Sequence, residues 1–536
     1  MTRLKVISST TLASAIGMLL ISSAPANAAI DAQGAEQLKT MIQKYIDEQK
    51  QMVSVYNVTM ETTGDLTVVP KDTYYQVTTP YIKTIYPGKE SYDLGKIAIN
   101  AIPGNAPDEW KVSFSLPSPI SFKDANGKDI LKVILGPQKT AGLWNSSLGY
   151  MTSLKATFDN IGFTVADGTG KPPVSGVIGA INIDQSLTKD PATQKWSGPI
   201  RAKASDIKTT SEGPDKIQIG EIGLQYDIRG LNSDSMQKFR EQFKALGTSG
   251  STLANIENSP EIAKKSMDLF SEMFRTNFGE FTAKYEIKAI KASFPTAKPN
   301  PVDVSLDSGY FGITFKQEVA NKTGAGFSFG FSGLVVPKTE WTSLTPTSTD
   351  INIMFHDIPM ADIMKVAEEH NPALAKDPKA TAPENSPPPM AVIPEMLSKA
   401  GSRVTQSLNI VAPSYKVQGS GEAKASAKAM TGFTADETLT VEGLDTVMAE
   451  LQKLSATSHD AKQALGPLTM MQMMGQQDPA NPAVRTYHLI AAEDGKMTMN
   501  GSDLSGLMGM APQGGAGTPP PTGAAPEAAP APSASH

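Results

Sequence analysis

The residues in this chain that could carry out chemistry are few and scattered. The five histidines are His356, His370, His459, His488 and His536. None of them lies at metal-ligand spacing from another histidine or from a carboxylate, and the chain has no cysteine, so the sequence predicts no zinc site. His356 stands on a predicted strand next to Asp357, where a structural hydrogen bond is the favoured interpretation over a base or ligand role.

One segment matches the pattern of a hydrolase nucleophile. Gly326-Phe-Ser328-Phe-Gly330 fits G-x-S-x-G, which places a serine at a turn between a strand and a helix. Here an extended, apolar pattern continues to Pro337 and no helical pattern follows, so the context favours a curved sheet strand. The chain also has no Walker or dinucleotide glycine loop, and we predict neither a catalytic residue nor a cofactor.

Methionine is the one unusual residue, with 24 copies and a cluster at Met470-Met-Gln-Met-Met474. The cluster extends a helical pattern, so packing into a core is the first interpretation. A pliable apolar surface for a ligand or partner is the second, with Met470, Met471, Met473 and Met474 as its residues. Thioethers also bind Cu(I), which leaves copper handling as a third alternative.

The elements that must position these residues alternate between strands and helices. Leu439 and Val441 have strand spacing, whereas Leu444 to Leu454 have helical spacing, with Asp445 placed to cap the helix. Similar junctions occur at 222–243, at 351–367 and, in a weaker form, at 497–508. They are either copies of a duplicated unit or ordinary strand-to-helix junctions.

The sequence pattern predicts short strands for most of the chain. Between Val53 and Ile228 runs of β-branched and aromatic residues are separated by turn signals, among them a hairpin at Asp124 to Gly127. Because no helical pattern separates these strands, they must pair antiparallel. We therefore predict an α+β fold with long curved antiparallel β-sheets in two halves and packed amphipathic helices, the first of them at Gln33 to Gln51, packed on the sheet that follows.

The ends of the chain have distinct compositions. Arg3 and Lys5 precede an apolar run and the small-residue site Ala26-Asn-Ala28, which is typical of a secretory signal peptide cleaved after Ala28. The predicted location is the periplasm of a Gram-negative bacterium. No later apolar run is long enough to cross a bilayer, and the net charge of −6 does not suggest nucleic acid as a partner.

These patterns divide the chain into five segments. They are a signal peptide (1–28), an N-terminal β-rich domain (29–231), a helical pair (232–280), a C-terminal α+β domain (281–510) with a mobile proline-rich loop inside it (371–389), and a disordered Pro/Ala/Gly tail (511–536).

The C-terminal part resembles uncharacterised bacterial envelope proteins. The resemblance lies in Ser420-Gly-Glu, in Leu439 to Asp445, and in Tyr487 to Gly501 with Leu504. They are similar to the YdgA-like and AsmA-like families of periplasmic domains of unknown function. Such families imply long curved antiparallel sheets with helices on one side and, in the AsmA-like case, a role in lipid handling or outer-membrane assembly. They bring no catalytic residues, and this sequence lacks the membrane anchor of AsmA-like proteins, which bears against a lipid-bridge role.

The function that these observations favour is that of a non-enzymatic envelope protein, which binds lipid or another apolar ligand on a curved sheet. Two alternatives stay open. One is an envelope hydrolase, which requires a histidine to meet a serine or a carboxylate in a pocket. The other is a structural or protein-binding envelope factor.

Overall fold

A computed structural model describes residues 30–166, 173–210, 215–248, 269, 279–295, 301–318, 322–370, 389–429 and 431–504. The predicted signal peptide, most of the proline-rich loop, the C-terminal tail and nearly all of the second helix of the predicted pair lie outside these residues. The helices are α1 (Ala32–Ser54), α2 (Ser233–Thr248), α3 (Met360–His370), α4 (Pro389–Ala400), α5 (Leu444–Leu454) and α6 (His459–Met474).

The remaining elements are strands of one sheet, and every pairing described in it is antiparallel, as predicted. In the first third of the chain the strands are short: β1 (Thr59–Thr63), β2 (Thr67–Pro70), β3 (Tyr75–Thr78), β4 (Tyr81–Ile85), β5 (Ser91–Gly95), β6 (Ala98–Pro103), β7 (Glu109–Ser115), β8 (Ile120–Lys123), β9 (Asp129–Ile134) and β10 (Gln138–Asn145).

Most of the later strands are much longer. They are β11 (Tyr150–Val165), β12 (Val174–Ser186), β13 (Thr188–Lys189), β14 (Trp196–Thr209), β15 (Lys216–Leu231), β16 (Glu280–Phe294), β17 (Val302–Gln317), β18 (Thr323–Ser332), β19 (Ser348–Ile358), β20 (Arg403–Val411), β21 (Lys416–Ala425), β22 (Phe433–Glu442), β23 (Gln476–Gln477), β24 (Val484–Ala491), β25 (Met497–Met499) and β26 (Ser502–Asp503).

Strand β11 is the point at which the sheet branches. The first half of one edge pairs with β10, and the second half of the same edge pairs with β9. The β10 branch continues through β7, β6 and β3 to β2, and the β9 branch continues through β8, β5 and β4 to β1. Helix α1 contacts both β1 and β2, so it joins the far ends of the two branches.

The main core lies between α1 and these branches. Leu38 of α1, Trp110, Trp144 and Tyr75 are at most 2% exposed there. The prediction of an amphipathic helix packed on the following sheet is confirmed, and Asp31 caps it by accepting a hydrogen bond from the Gly34 backbone N–H. The hairpin at Asp124 to Gly127 is also confirmed, between β8 and β9.

Beyond β11 the sheet continues as a single ribbon of neighbouring strands. The order is β11, β12, β14, β15, β16, β17, β18, β19, β20, β21, β22 and β24. Strands β15 and β16 pair along nearly their whole length, although the predicted helical pair separates them in sequence. The hydrogen bonding is therefore unbroken from one predicted domain to the other.

The strand-to-helix junctions are found at three of the four predicted places. Strand β15 leads into α2, β19 into α3 and β22 into α5. At the fourth place Met497 to Met499 form β25 as expected, but Ser502 and Asp503 form another strand, and the rest of the predicted helix lies outside the described residues.

The predicted cap of α5 is wrong. Gly443 occupies the N-cap position with a φ of 84°, and Asp445 lies inside the first turn. A glycine adopts this left-handed backbone at no steric cost, which lets β22 turn directly into the helix. The Asp445 carboxylate instead accepts hydrogen bonds from Gln472 and Arg485.

Candidate apolar ligand-binding face

The two faces of the ribbon differ sharply in chemistry. On one face, which we call the apolar face, successive strands from β14 to β20 present aliphatic and aromatic side chains, alanine and glycine, with three threonines and two glutamines as exceptions: Thr209, Thr323, Thr349, Gln317 and Gln406. Strand pairing defines rows across the sheet, one of which reads Ile200, Tyr226, Ala283, Ile313, Phe327, Ile353 and Gln406, and the next Ala202, Leu224, Tyr285, Phe311, Phe329, Ile351 and Leu408.

The opposite face is polar and charged. Glu221 binds Lys203 at 2.7 Å and Lys288 at 3.0 Å across three neighbouring strands. Hydrogen bonds from these lysines hold the pKa of the Glu221 carboxyl below its ordinary value. Further along the same face, Tyr310 donates a hydrogen bond of 2.6 Å to Asp350.

A row of unusual backbone, which we call the crease, crosses the long strands. Asn160, Asp206 and Ala289 have φ values of 53°, 54° and 52°, and the strand registers place them in one line with Gly179 and Gly220. A Cβ atom on Gly179 would lie 2.8 Å from the Cβ of Asp206, and one on Gly220 would lie 2.8 Å from that of Ala289. Glycine is therefore required opposite two of the left-handed residues.

The crease keeps apolar residues on one face in both halves of each long strand. In a regular strand, residues two positions apart share a face. At the crease the spacing is three, as in Phe158 and Ile161 of β11, which are both buried in the main core. The row just beyond the crease is aliphatic throughout: Ile161, Ile178, Ile207, Ile219, Ile290 and Leu306.

Described helices contact the sheet near β14 and near β24, and α4 contacts β19 and β21 between them. Met236 of α2 packs against the cluster that contains Ile228 and Trp196. Leu468 and Met471 of α6 pack against the cluster of Val441, Leu444 and Tyr487. Between β14 and β24 several large side chains are open to solvent: Phe311 and Phe329 are 43% exposed and Phe355 is 38% exposed.

The two tyrosines on the apolar face contact each other. The hydroxyl groups of Tyr226 and Tyr285 lie 3.3 Å apart, and the Tyr226 ring stacks on Phe281. Burial raises the pKa of the Tyr226 phenol, and the hydrogen bond with Tyr285 adds to the increase. The Tyr226 phenol therefore remains neutral at ordinary pH and adds no charge to the face.

The methionine cluster is divided by the structure. Met471 faces the sheet, and its carbonyl accepts a hydrogen bond from the Tyr487 hydroxyl. Met470 and Met473 face solvent and are 41% and 75% exposed, whereas Met474 is half-buried. The predicted helix is confirmed, with packing at Met471 and exposed thioethers at Met470 and Met473.

The sequence did not predict the hydrogen bond that connects two polar side chains across the apolar face. The Gln406 amide of β20 donates a hydrogen bond of 2.8 Å to the Glu437 carboxylate of β22. Gly421 of β21 lies between the two residues in the strand registers, and a Cβ there would come within about 2 Å of the Glu437 carboxylate. The only indication of this bridge in the sequence was Gly421, a glycine within an otherwise regular strand.

His356 lies on a strand and makes hydrogen bonds, as expected, but with partners that the sequence did not indicate. Its Nδ1 lies 3.3 Å from Glu318, and its Nε2 lies 3.2 Å from the Thr405 hydroxyl. The same Glu318 accepts a hydrogen bond from the backbone N–H of Asp357, whose φ is 56°. These contacts secure the end of β19 where the chain turns toward α3.

Of the remaining candidates, His459, His488 and Ser328 lie on three different elements, and His536 lies outside the described residues. His488 contacts Asp436 on the polar face, and His459 contacts Gln463 on α6. Ser328, the middle of the G-x-S-x-G match, lies inside β18, so the nucleophile-elbow context is absent at this serine. Among the residues that the structure describes, no group of three His, Asp or Glu side chains is arranged to hold a metal ion.

None of the described helices is both long and apolar enough to span a bilayer. No protein-family model, curated protein or solved structure matches this chain. The fold defines a class in general terms, a large open antiparallel sheet with helices packed on it.

Proposed function

We propose that this chain is a non-enzymatic lipid-binding protein of the bacterial periplasm, which holds acyl chains against the apolar face of its sheet. The observation that carries the proposal is the exposed apolar surface between α2 and α6. Contiguous apolar patches of this kind on a protein surface mark sites of ligand, membrane or protein contact.

The chemistry of the face supports an acyl ligand. From β14 to β20 the rows contain no carboxylate, ammonium or guanidinium group. An acyl chain has no hydrogen-bonding groups, so a surface that offers almost none leaves nothing unsatisfied when the chain binds. Burial of apolar area then supplies the binding free energy.

The dimensions of the face also suit an acyl ligand. Neighbouring strands lie about 4.8 Å apart, so the seven strands from β14 to β20 span roughly 29 Å. Two acyl chains end to end fill the hydrocarbon region of a bilayer, which is about 30 Å thick. The face is therefore longer than a single acyl chain.

Native mass spectrometry with lipid extraction, on protein purified from its own periplasm, tests the proposal. We expect the protein to carry acyl lipid and the variant Phe329→Lys to carry at least about fivefold less, because its charge would lie on the apolar face. The matched control is Asn352→Lys, which adds the same charge on the polar face of the neighbouring strand. A wild-type protein that carries no lipid and gains none from vesicles would overturn the proposal and favour a structural or protein-binding role.

The His356 cluster supports a second candidate, an envelope hydrolase. Glu318, His356 and Thr405 stand in the order carboxylate, imidazole and hydroxyl, which is the order of an acyl-transfer triad. This candidate predicts ester hydrolysis by the purified protein that His356→Ala abolishes. If the wild type releases no product from ester substrates, the cluster is left with its structural role.

A further inference from the structure

The single carboxylate that the described rows place near the open part of the apolar face is Glu437. The row that begins with Ala283, Ile313 and Phe327 continues through Ile353 to Gln406, Gly421 and Glu437. The face thus changes from wholly apolar to acidic along one line. A ligand whose chain follows this line reaches the carboxylate with its polar end.

Glu437 is held in place but incompletely satisfied. Among the described residues, Gln406 is its one hydrogen-bond partner, and no lysine or arginine pairs with it. An ionised carboxylate can accept about four hydrogen bonds, so most of its capacity is free. A half-buried carboxylate on an apolar surface gains most from a cationic donor, because charge-assisted hydrogen bonds are the strong ones.

Gly421 makes the bridge between Gln406 and Glu437 possible. With a side chain at this position, the Cβ would lie within 2.6 Å of the Asp436 carbonyl as well as close to the Glu437 carboxylate. The glycine therefore opens a shallow gap in β21, over which the two polar side chains meet. The gap lies one row away from Leu439, which packs in the cluster that α6 contacts.

We propose that Glu437, positioned by Gln406 across Gly421, receives the ammonium headgroup of a lipid whose acyl chains lie on the apolar face. This inference rests on the proposed function, because it identifies the headgroup of the same ligand. The ligand is a diacyl lipid with a primary amine. Charge complementarity with Glu437 favours this lipid over lipids with anionic or purely hydroxylated headgroups.

A competition experiment tests the headgroup. Full-length mature protein is incubated with vesicles that contain equal amounts of phosphatidylethanolamine and phosphatidylglycerol with identical acyl chains, then re-isolated, and its bound lipids are counted by mass spectrometry. We expect about a fivefold preference for phosphatidylethanolamine. Glu437→Gln should reduce this preference to near one while total bound lipid stays the same.

The control variant is Glu442→Gln, which makes the same change on the same strand but on the polar face. It alters the net charge of the protein equally and should keep the preference. A second readout changes the lipid instead of the protein: acetylating the amine of phosphatidylethanolamine should remove the preference of the wild type, whether or not the variants fold.

The outcomes separate the two proposals. Wild-type protein that binds both lipids equally, or prefers phosphatidylglycerol, overturns the headgroup assignment and leaves the lipid-binding function in place. A preference that survives in Glu437→Gln also overturns it. Wild-type protein that binds neither lipid overturns the proposed function and the headgroup assignment with it.

Discussion

Asn160, Asp206 and Ala289 adopt left-handed backbone in the middle of long strands, where such a conformation is rare. Asparagine and aspartate adopt left-handed backbone more readily than most residues. For alanine the clash of its Cβ in this conformation costs about 1 kcal/mol or more. Three such residues in one row indicate that the pairing of neighbouring strands imposes the conformation. The energetic benefit is that Ile and Leu side chains stay on one face across the crease.

Replacing Ala289 with glycine should therefore stabilise the protein by about 0.5 to 1 kcal/mol, since glycine adopts a positive φ without strain. The matched control is Ala283→Gly on the same strand. Ala283 is buried, its φ is not positive, and its loss of a side chain should cost about 1 kcal/mol. Urea unfolding midpoints that move in the same direction for both variants would contradict this account of the crease.

The charged ladder on the polar face makes stability depend on pH. The pKa of the Glu221 carboxyl is lowered by hydrogen bonds from Lys203 and Lys288, so its contribution to folding is complete above its unfolded value near 4.5. That contribution is lost as the pH falls through the lower, folded value. Between pH 6 and pH 3 we expect Glu221→Gln to lose less stability than the wild type.

Urea unfolding at a series of pH values measures this difference. Removing both partners, in Lys203→Met with Lys288→Met, should flatten the same part of the profile, because the carboxylate then gains nothing from folding. Superimposable profiles for the wild type and Glu221→Gln would show that solvent screening cancels the effect.

Among the elements, α1 has a role that no other described helix shares. It contacts the last strand of each branch, β1 and β2, which do not pair with each other among the described residues. The helix therefore connects the two branches through side-chain packing, because β1 and β2 form no backbone hydrogen bonds with each other. Its inward residues, which include Leu38, Ile42 and Ile46, belong to the main core.

Leu38→Ala should lower the free energy of unfolding by about 2 to 5 kcal/mol, because Leu38 is fully buried and the branches on either side limit relaxation of the cavity. Lys39→Ala, at an exposed position of the same helix, should change it by less than about 0.5 kcal/mol. Thermal or urea unfolding of the two variants makes the comparison, and equal effects would mean that α1 is dispensable to the core.

Across the whole molecule, buried residues are distributed unevenly. The region from α1 to β11 contains the main core, whereas the long strands from β16 to β20 contain few buried side chains. The strands of both regions pair in antiparallel ladders, so the main difference between the regions is apolar burial. Regions with little burial open at lower free energy.

Hydrogen exchange should reveal this difference. We expect backbone amides of β10 and β11 to exchange at least about tenfold more slowly than those of β18 to β20 in protein stripped of lipid. Reloading with lipid should slow exchange in β16 to β20 and leave β10 and β11 unchanged. Uniform protection before loading would contradict the uneven burial, and protection gained only in β10 and β11 would place the ligand elsewhere.

The local pattern of the sequence determined much of this protein. Period-two alternation marked the strands, the stripe of Leu38, Ile42 and Ile46 marked α1, and the Asp124 to Gly127 turn marked a hairpin, because each depends on neighbours within a few residues. The methionine cluster was placed on a helix for the same reason. The predicted antiparallel fold and three strand-to-helix junctions followed from these local signals.

Only the tertiary structure decided the features that the proposals use. The crease joins residues from 160 to 289, and its left-handed positions are set by strand registers that no local pattern encodes. Gln406 and Glu437 are 31 positions apart and meet across a third strand. Asp445 was misassigned because Gly443 could take the left-handed N-cap. Local residue types fix what each element can be, whereas pairing between distant strands fixes which side chains share a face.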